Sequence, residues 1–444
     1  ASLDPAQGVM LFAVIYCTGT YGGAITAILF NIPGAPENAP TAFDGYPMTR
    51  KGQSGKAVGA AVLCSAIGGI SSALVMMAAT EPLANWAISN IGPPEIFALV
   101  FFGLAVASSV GGRTLWKGWM SVLLGLLIAT IGQDPVGGIN RYNFGFSDLA
   151  AGIAFVPAIL GFFAVSEIFV QAEKKAIGMY EAPKMSVNFP SILELWTHKI
   201  AVVRSILVGF FCGILPGIGA TLAAFMGYGE AVRWSKNKES FGKGNLEGVI
   251  SSETANNAAT GAAMIPLLAL GLPGGALTAM MVAVFQMHDL EPGPLVFYNS
   301  PDLIWIVFAA MFYANVSILF IGLIETKTIL YLLKIPFQFL APMILLLASI
   351  GSYIGRGLVL DVMVMFISGI MGFLLRRSGY SIPGIVLGII LGKIGEQNFA
   401  QGMQMVHYDL LEYLSRPICL LLIVAGSLTL LAGIYKALSF SFKS

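Results

Sequence analysis

The apolar runs of this chain fix the solvent in which it folds. They recur at residues 57–79, 96–110, 118–131, 149–170, 200–226, 303–324, 339–350, 358–375 and 417–434. A helix needs roughly 20 apolar residues to cross a bilayer, and fewer where the segment is re-entrant. Charged residues are 11% of the chain, against about 25% in soluble globular proteins. The ten-residue alternation that builds a membrane β-barrel is missing from the sequence. The expected fold is therefore all-α: a polytopic protein of the lipid bilayer with about ten to twelve transmembrane or re-entrant helices.

Other classes find little support. A net charge of +1 gives no reason to expect a nucleic-acid partner, and the basic clusters (Arg50/Lys51, Lys174/Lys175, Arg233–Lys243, Arg376/Arg377) are short loop anchors. Cys17, Cys64, Cys212 and Cys419 lie singly in apolar runs, without zinc or disulfide spacing. His198, His288 and His407 form no H-E-x-x-H, and neither G-x-S-x-G nor a P-loop occurs. The chain reads as a non-enzyme without cofactor or structural metal.

One apolar run ends abruptly. "AITAILF" is followed by "NIPGAPENAPTAFDGYP" (residues 31–47), with four prolines, two glycines, a Glu and an Asp. Backbone at membrane depth must be hydrogen-bonded internally, or line a protected or wet cavity. Pro33 removes a donor and blocks helix continuation. Gly34 allows positive φ and close approach of a ligand. The expected outcome is a half-helix, a bent tip and a second half-helix, with "FDGYP" as a turn.

The break is repeated. Gly8, Val9, Thr20, Pro33, Gly34 and Ala39 meet identical residues 240 positions later, among them Pro273 and Gly274. "LGLLIATIGQDP" (124–135) resembles "LGIILGKIGEQN" (387–398) at a spacing of 263, so 23 residues would be inserted in the second half. The expected organisation is a first membrane repeat over 1–170, a polar connector over 171–199 and a second repeat over 200–444. The loop after the first break is basic ("MTRKGQSGK") and that after the second acidic ("MHDLEPGP"), which favours inverted repeats. Arg113 and Arg376, basic at matched positions, do not fit inversion. "GILPGIGATLAAFMGYG" (213–229) has no counterpart, because its partner would fall before residue 1. The expectation is that a first-half hairpin of roughly 40–60 residues is missing from the sequence, or that the first half starts later than the second.

Helix termini at such breaks attract ions, amides drawing anions and carbonyls drawing cations. In "SSETANNAATGAAM", Glu253, Asn256, Asn257 and Thr260 share one helical face. Such a face serves either interhelical hydrogen bonding or function, and an intramembrane acid favours function. No Lys or Arg lies in either break before Arg50. An anion would then be held by Asn31, Thr41, Asn256, Asn257 and Thr278, with the Pro33–Gly34 and Pro273–Gly274 tips. Glu253 and Asp44 are the candidate cation-coupling acids; Asp44 could equally cap a helix or turn.

"YGGAITAILFNIPGAPENAPTAFDGYPMTRKGQSGKA" (21–57) closely resembles the signature of the large membrane subunit of tripartite tricarboxylate transporters, the TctA family. "GILPGIGA", "SSETANNAATGAAMIPLLALGLPGG" and "LEPGPLVF" resemble its second-half motifs. The resemblance implies a multi-pass protein of the bacterial inner membrane. It implies a secondary transporter that imports tri- or dicarboxylates, or aromatic acids, on a Na⁺ or H⁺ gradient. Its partners would be a small membrane subunit of about four helices and a periplasmic solute-binding protein. Alternating access of an elevator kind follows only by fold-level analogy. The motif residues carried over are Asn31, Pro33, Gly34, Thr41, Asp44, Glu253, Asn256, Asn257, Pro273 and Gly274. Two rivals stay open: a cation channel or Na⁺/H⁺ exchanger with no organic substrate, and a membrane scaffold in which the breaks are packing kinks.

Overall fold

The computed structural model describes residues 4–31, 33–110, 115–134, 137–176, 189–215, 219–332 and 337–441. The elements fall into four blocks along the chain. The first holds α1 (Pro5–Phe30), α2 (Ala39–Arg50) and α3 (Ser54–Asn90). The second holds α4 (Pro93–Val110), α5 (Leu115–Ala129), the strands β1 (Gly132–Gln133) and β2 (Asn140–Arg141), α6 (Phe155–Leu160), a π turn at Gly161–Val165, and α7 (Ser166–Ala176). The third holds α8 (Ile192–Thr197), α9 (Lys199–Ile214), α10 (Gly219–Trp234), α11 (Leu246–Leu270), α12 (Ala276–Gln286), α13 (Val296–Asn299) and α14 (Pro301–Leu332). The fourth holds α15 (Phe337–Arg356), α16 (Val359–Arg377), α17 (Ile382–Met405), α18 (Leu410–Ser415) and α19 (Pro417–Ser441).

Among the described residues five stretches are long and apolar enough to cross a membrane: Pro5–Leu29, Ser54–Asn90, Phe155–Glu173, Pro301–Gly322 and Val359–Arg377. Shorter apolar helices accompany them, including Trp116–Ala129 and Pro417–Ala432. Two antiparallel residue pairs are the whole of the described sheet. The fold is the all-α polytopic one expected.

Two compact units form, and each takes one block from 1–170 and one from 200–444. The first contains Trp86–Met179 and Pro336–Ser444. Within it α17 packs on α5 and α4, α19 on α4, and α16 on the π turn. Buried acids are paired: Glu95 bonds Arg416, and Asp361 bonds Arg356. Arg141 holds Glu396 through two guanidinium nitrogens.

The second unit contains Ser2–Asn85 and Tyr180–Ile335. Its centre is α11, buried along residues 248–269. α9 and α10 approach through glycines. A Cβ on Gly209 would sit 2.2 Å from the Ala255 carbonyl oxygen, and one on Gly227 2.7 Å from that of Ser251. Small residues at such crossings let membrane helices pack backbone to backbone. α3 crosses the same helix where Gly68 meets Thr254. An apolar cluster of Val9, Ala13, Met76, Met264, Phe285 and Phe308 closes the core around it.

Both breaks exist, and they are built alike. α1 ends on Asn31 in the left-handed region (φ 57°), and α11 ends on Gly271 in the same region (φ 73°). These positions are the same 240 residues apart as Pro33 and Pro273. In the first break the Gly34 amide donates to the Gly23 carbonyl at 3.2 Å. A Cβ on Gly34 would lie 2.5 Å from the Gly23 Cα, and one on Gly274 2.9 Å from the Ala263 Cα. Each tip therefore folds back on the helix it has just left. This corrects the expected role of the two glycines. Positive φ belongs to Asn31 and Gly271, while Gly34 and Gly274 serve backbone-to-backbone contact. The "FDGYP" turn is also corrected. Residues 43–47 lie inside α2, and the chain is irregular only up to the 3₁₀ turn Pro36–Asn38. Thr49 reinforces that helix by donating to the carbonyls of Ile28 and Gly45.

Candidate functional site

A buried polar cluster gathers in the second unit where α2, α3 and α11 meet. Its centre is the fully buried Glu253. Thr41, from the half-helix that follows the first break, donates its hydroxyl to Glu253 Oε1. Ser65 of α3 donates to Oε2 at 3.0 Å. Ser252 lies 3.0 Å from Thr41, and the Asn38 side-chain amide donates to the Thr20 carbonyl at 2.9 Å. Asn257 Nδ2 donates to the Glu253 carbonyl at 3.0 Å and stands 3.5 Å from its Oε2. The first break thus meets the helix that leads into the second.

Several buried polar atoms in this region lack a partner: both side-chain atoms of Asn256, Oδ1 of Asn257 and Oδ1 of Asn38. Such orphans are rare in folded proteins and call for an explanation by ligand or water. No ion pair among the described residues involves Glu253. The carboxyl is instead surrounded by hydroxyls and amides.

The other expected residues have different surroundings. Asp44 is buried, and each of its oxygens is occupied. Oδ1 accepts from the amides of Gly244 and Asn245 at 2.8 Å, and Oδ2 from the Tyr228 hydroxyl at 2.8 Å. It pins the loop that leads into α11, whose own cap is Asn245. Thr278 accepts from the Gly275 amide at 2.8 Å and closes the first turn of α12. Asn31 is exposed at the end of α1, while Pro273 and Gly274 are buried against α11. The structure therefore brings together Thr41, Glu253 and Asn257. Pro216 and Gly217 of "GILPGIG" lie outside the described residues, as do Ile32, Arg113 and the middle of the connector, 177–188.

Ser65, Ser252 and Asn38 escaped the sequence reading. A serine in an apolar helix carries no distinguishing signal, since most such hydroxyls bond their own backbone, as Thr254 does to Ile250. Asn38 did stand in the quoted break, beside a second acid, Glu37.

Comparison with known proteins agrees with this architecture. Residues 1–387 match the model of the tripartite tricarboxylate transporter TctA family. The chain is 35% identical over 432 residues to the "Uncharacterized 52.8 kDa protein in TAR-I ttuC' 3'region" of Agrobacterium vitis, covering 96% of this chain and 84% of that protein. It is 35% identical over 218 residues to a protein of the TAR-II ttuC' 3' region of the same organism, covering 49% of this chain and 90% of that one. No solved structure matches it. A match over most of its length, on a fold of apolar helices with two Pro-Gly breaks, means that this chain belongs to the tripartite tricarboxylate transporter TctA family.

Proposed function

We propose that this chain is the large permease subunit of a binding-protein-dependent secondary importer. Its substrates are organic carboxylates of the tri- or dicarboxylate class, driven by a Na⁺ or H⁺ gradient across the bacterial inner membrane. It works with a small membrane subunit of about four helices and a periplasmic solute-binding protein, by alternating access of the elevator type. Family membership supports the transport of tricarboxylates by a protein complex. The observation that carries the coupling step is the environment of Glu253. A buried carboxylate without a basic partner is costly to ionise. It becomes affordable when a cation lies beside it, so the acid binds and releases positive charge as the site changes access. The substrate carboxylates, which meet no Lys or Arg in either break, are held by amides and hydroxyls at the two tips, from the set Asn31, Gly34, Thr41, Asn256, Asn257, Gly274 and Thr278, while Pro33 and Pro273 shape the bends. Binding a cation first lowers the electrostatic cost of admitting the anion.

The test is uptake into proteoliposomes that contain this protein and its small subunit. Labelled carboxylates are offered with and without a Na⁺ or pH gradient, each with and without the binding protein. Uptake that requires both the gradient and the binding protein is the expected result. Ion flux without carboxylate uptake, while the binding protein demonstrably holds its ligand, supports the exchanger reading instead.

A further inference from the structure

One end of the second unit carries an open cavity of about 980 Å³ that the transport reading leaves unused. Its walls come from the α8–α9 junction, the end of α10 and the loop that leads into α11. His198, Arg204 and Lys236 line it, against one acid, Glu247. Arg204 is 4.0 Å from that carboxylate and 5.8 Å from the centre of the Trp234 ring. The ring is fixed by its indole N–H, which donates to Glu230 at 2.7 Å. His198 and Lys236 take part in no ion pair among the described residues. Basic groups thus outnumber acids in the cavity, and the polar side chains of Ser235, Asn237 and Asn245 stand with them. Such a lining suits an anion.

Two features of the surroundings identify the kind of anion. The first is charge. Arg233, Lys236, Lys238 and Lys243 follow one another in the α10–α11 loop region against Glu239 alone. Lys51, from the basic loop after α2, donates to the Lys243 carbonyl at 2.6 Å, so two basic loops share this end of the unit. By the positive-inside rule that end faces the cytoplasm, where the leaflet carries a negative surface potential from its anionic lipids. The second feature is apolar. Ile200 lines the cavity. Val203, Leu207 and Phe211 continue from it along one face of α9, at i+3, i+7 and i+11. These four side chains are 56–67% exposed, so an apolar stripe leads out of the cavity along the helix. Trp234, also in the lining, is 62% exposed, and tryptophan favours the depth of the lipid headgroups. A soluble anion engages the basic groups and leaves the stripe bare, whereas a phospholipid engages both.

We propose that this cavity binds the headgroup of one anionic phospholipid of the cytoplasmic leaflet, its phosphate held by Arg204 and Lys236 and an acyl chain laid on the α9 stripe. The site connects to the first break. Gly244 and Asn245, in the cavity wall, are the residues whose backbone amides hold Asp44 of α2. A bound headgroup braces the loop that Asp44 pins, whatever substrate the chain carries.

The test uses the purified full-length protein, washed free of native lipid in detergent, and reads the midpoint of thermal unfolding. The probes are phosphatidylglycerol, phosphatidylcholine with the same acyl chains, and glycerol 3-phosphate, which has the phosphate without the chains. Wild type shows a saturable rise in melting temperature with phosphatidylglycerol and none with the other two over the same concentrations. Lys236→Gln raises the half-saturating phosphatidylglycerol concentration about fivefold, the worth of one basic residue at an anionic surface. Arg204→Gln raises it at least as much. Lys238→Gln, which removes a charge from the same loop but not from the cavity lining, stays near wild type. Lys236 is exposed, so its variant keeps the test decisive if Arg204→Gln fails to fold. Equal weakening by Lys236→Gln and Lys238→Gln shows diffuse attraction to a basic loop and overturns the proposal. So does a wild type that answers phosphatidylcholine as it answers phosphatidylglycerol. Saturation by glycerol 3-phosphate at the same concentration makes this a site for soluble anions and overturns the lipid assignment. None of these readouts involves uptake, so the transport reading can fail without touching them.

Discussion

The two breaks share a backbone and divide the chemistry. Each ends its helix on a left-handed residue, turns at Pro-Gly and folds back on the helix it left. At matched positions, however, the polar groups are not copied. The first break carries Glu37, Thr41 and Asp44 on its tip and outgoing half-helix, where the second has Leu277, Met281 and Val284. The second carries Glu253, Asn256 and Asn257 on its incoming helix, where the first has Ala13, Tyr16 and Cys17. The two polar sets then meet, because Thr41 bonds Glu253. The two bends are alike in backbone, but one acid set stands on a tip and the other on a packed helix, and the Thr41–Glu253 bond joins them.

The asymmetry predicts that the acids cannot be exchanged. Ala13 holds the place matched to Glu253 but is fully buried among apolar side chains. Ala13→Glu is expected to cost about 3–5 kcal/mol through an uncompensated buried charge, seen as loss of folded protein in a detergent melt. A stable Ala13→Glu protein would mean that the two halves are chemically interchangeable.

The shared backbone predicts parallel damage at the tips. Gly34→Val and Gly274→Val each force a branched side chain into backbone 2.5–2.9 Å away. Overpacking of this kind costs about 1–3 kcal/mol, and carboxylate uptake is expected to vanish while expression persists. Unchanged uptake in either variant removes that tip from the site.

Asp44 separates scaffold from chemistry. Asp44→Asn keeps one oxygen and turns an N–H₂ group towards backbone donors or the Tyr228 hydroxyl. The expected loss is about 1–2 kcal/mol of stability, with the Na⁺ dependence of uptake unchanged. A shift in that dependence as large as the one from Glu253 substitution would make Asp44 a coupling residue.

The smallest effects concern the caps. Gly271→Ala meets both a positive φ and the Pro292 carbonyl, 2.7 Å from the added carbon, and should cost about 1 kcal/mol. Asn31→Gly keeps the left-handed residue and should stay within about 0.5 kcal/mol. A difference in melting temperature between the two variants would confirm that the cap geometry is shared while its side-chain requirement is not.

Much of this was legible in the sequence. The apolar runs gave the class, and the Pro-Gly repeats located both breaks. The spacing of Glu253, Asn256 and Asn257 marked the polar face of α11. Local signals failed where distant segments decide the outcome. "FDGYP" reads as a turn, yet the Asp44 side chain is spent on Gly244 and Asn245, some 200 residues on, and the backbone stays helical. Ser65 became a site residue only because α3 crosses α11 at Gly68. Gly34 looked like a residue chosen for its dihedral angles, and proved to be one chosen for what lies beside it.

The central claim is that Glu253 couples a cation to carboxylate movement. The most direct measurement compares concentrative uptake by wild type and Glu253→Gln in proteoliposomes, under the same imposed gradient and with the binding protein present. The account predicts that wild type accumulates labelled carboxylate above its external concentration. The variant, which keeps the side chain's shape but loses the charge and one acceptor oxygen, should at most let it equilibrate. Accumulation by Glu253→Gln to the wild-type level would contradict the account.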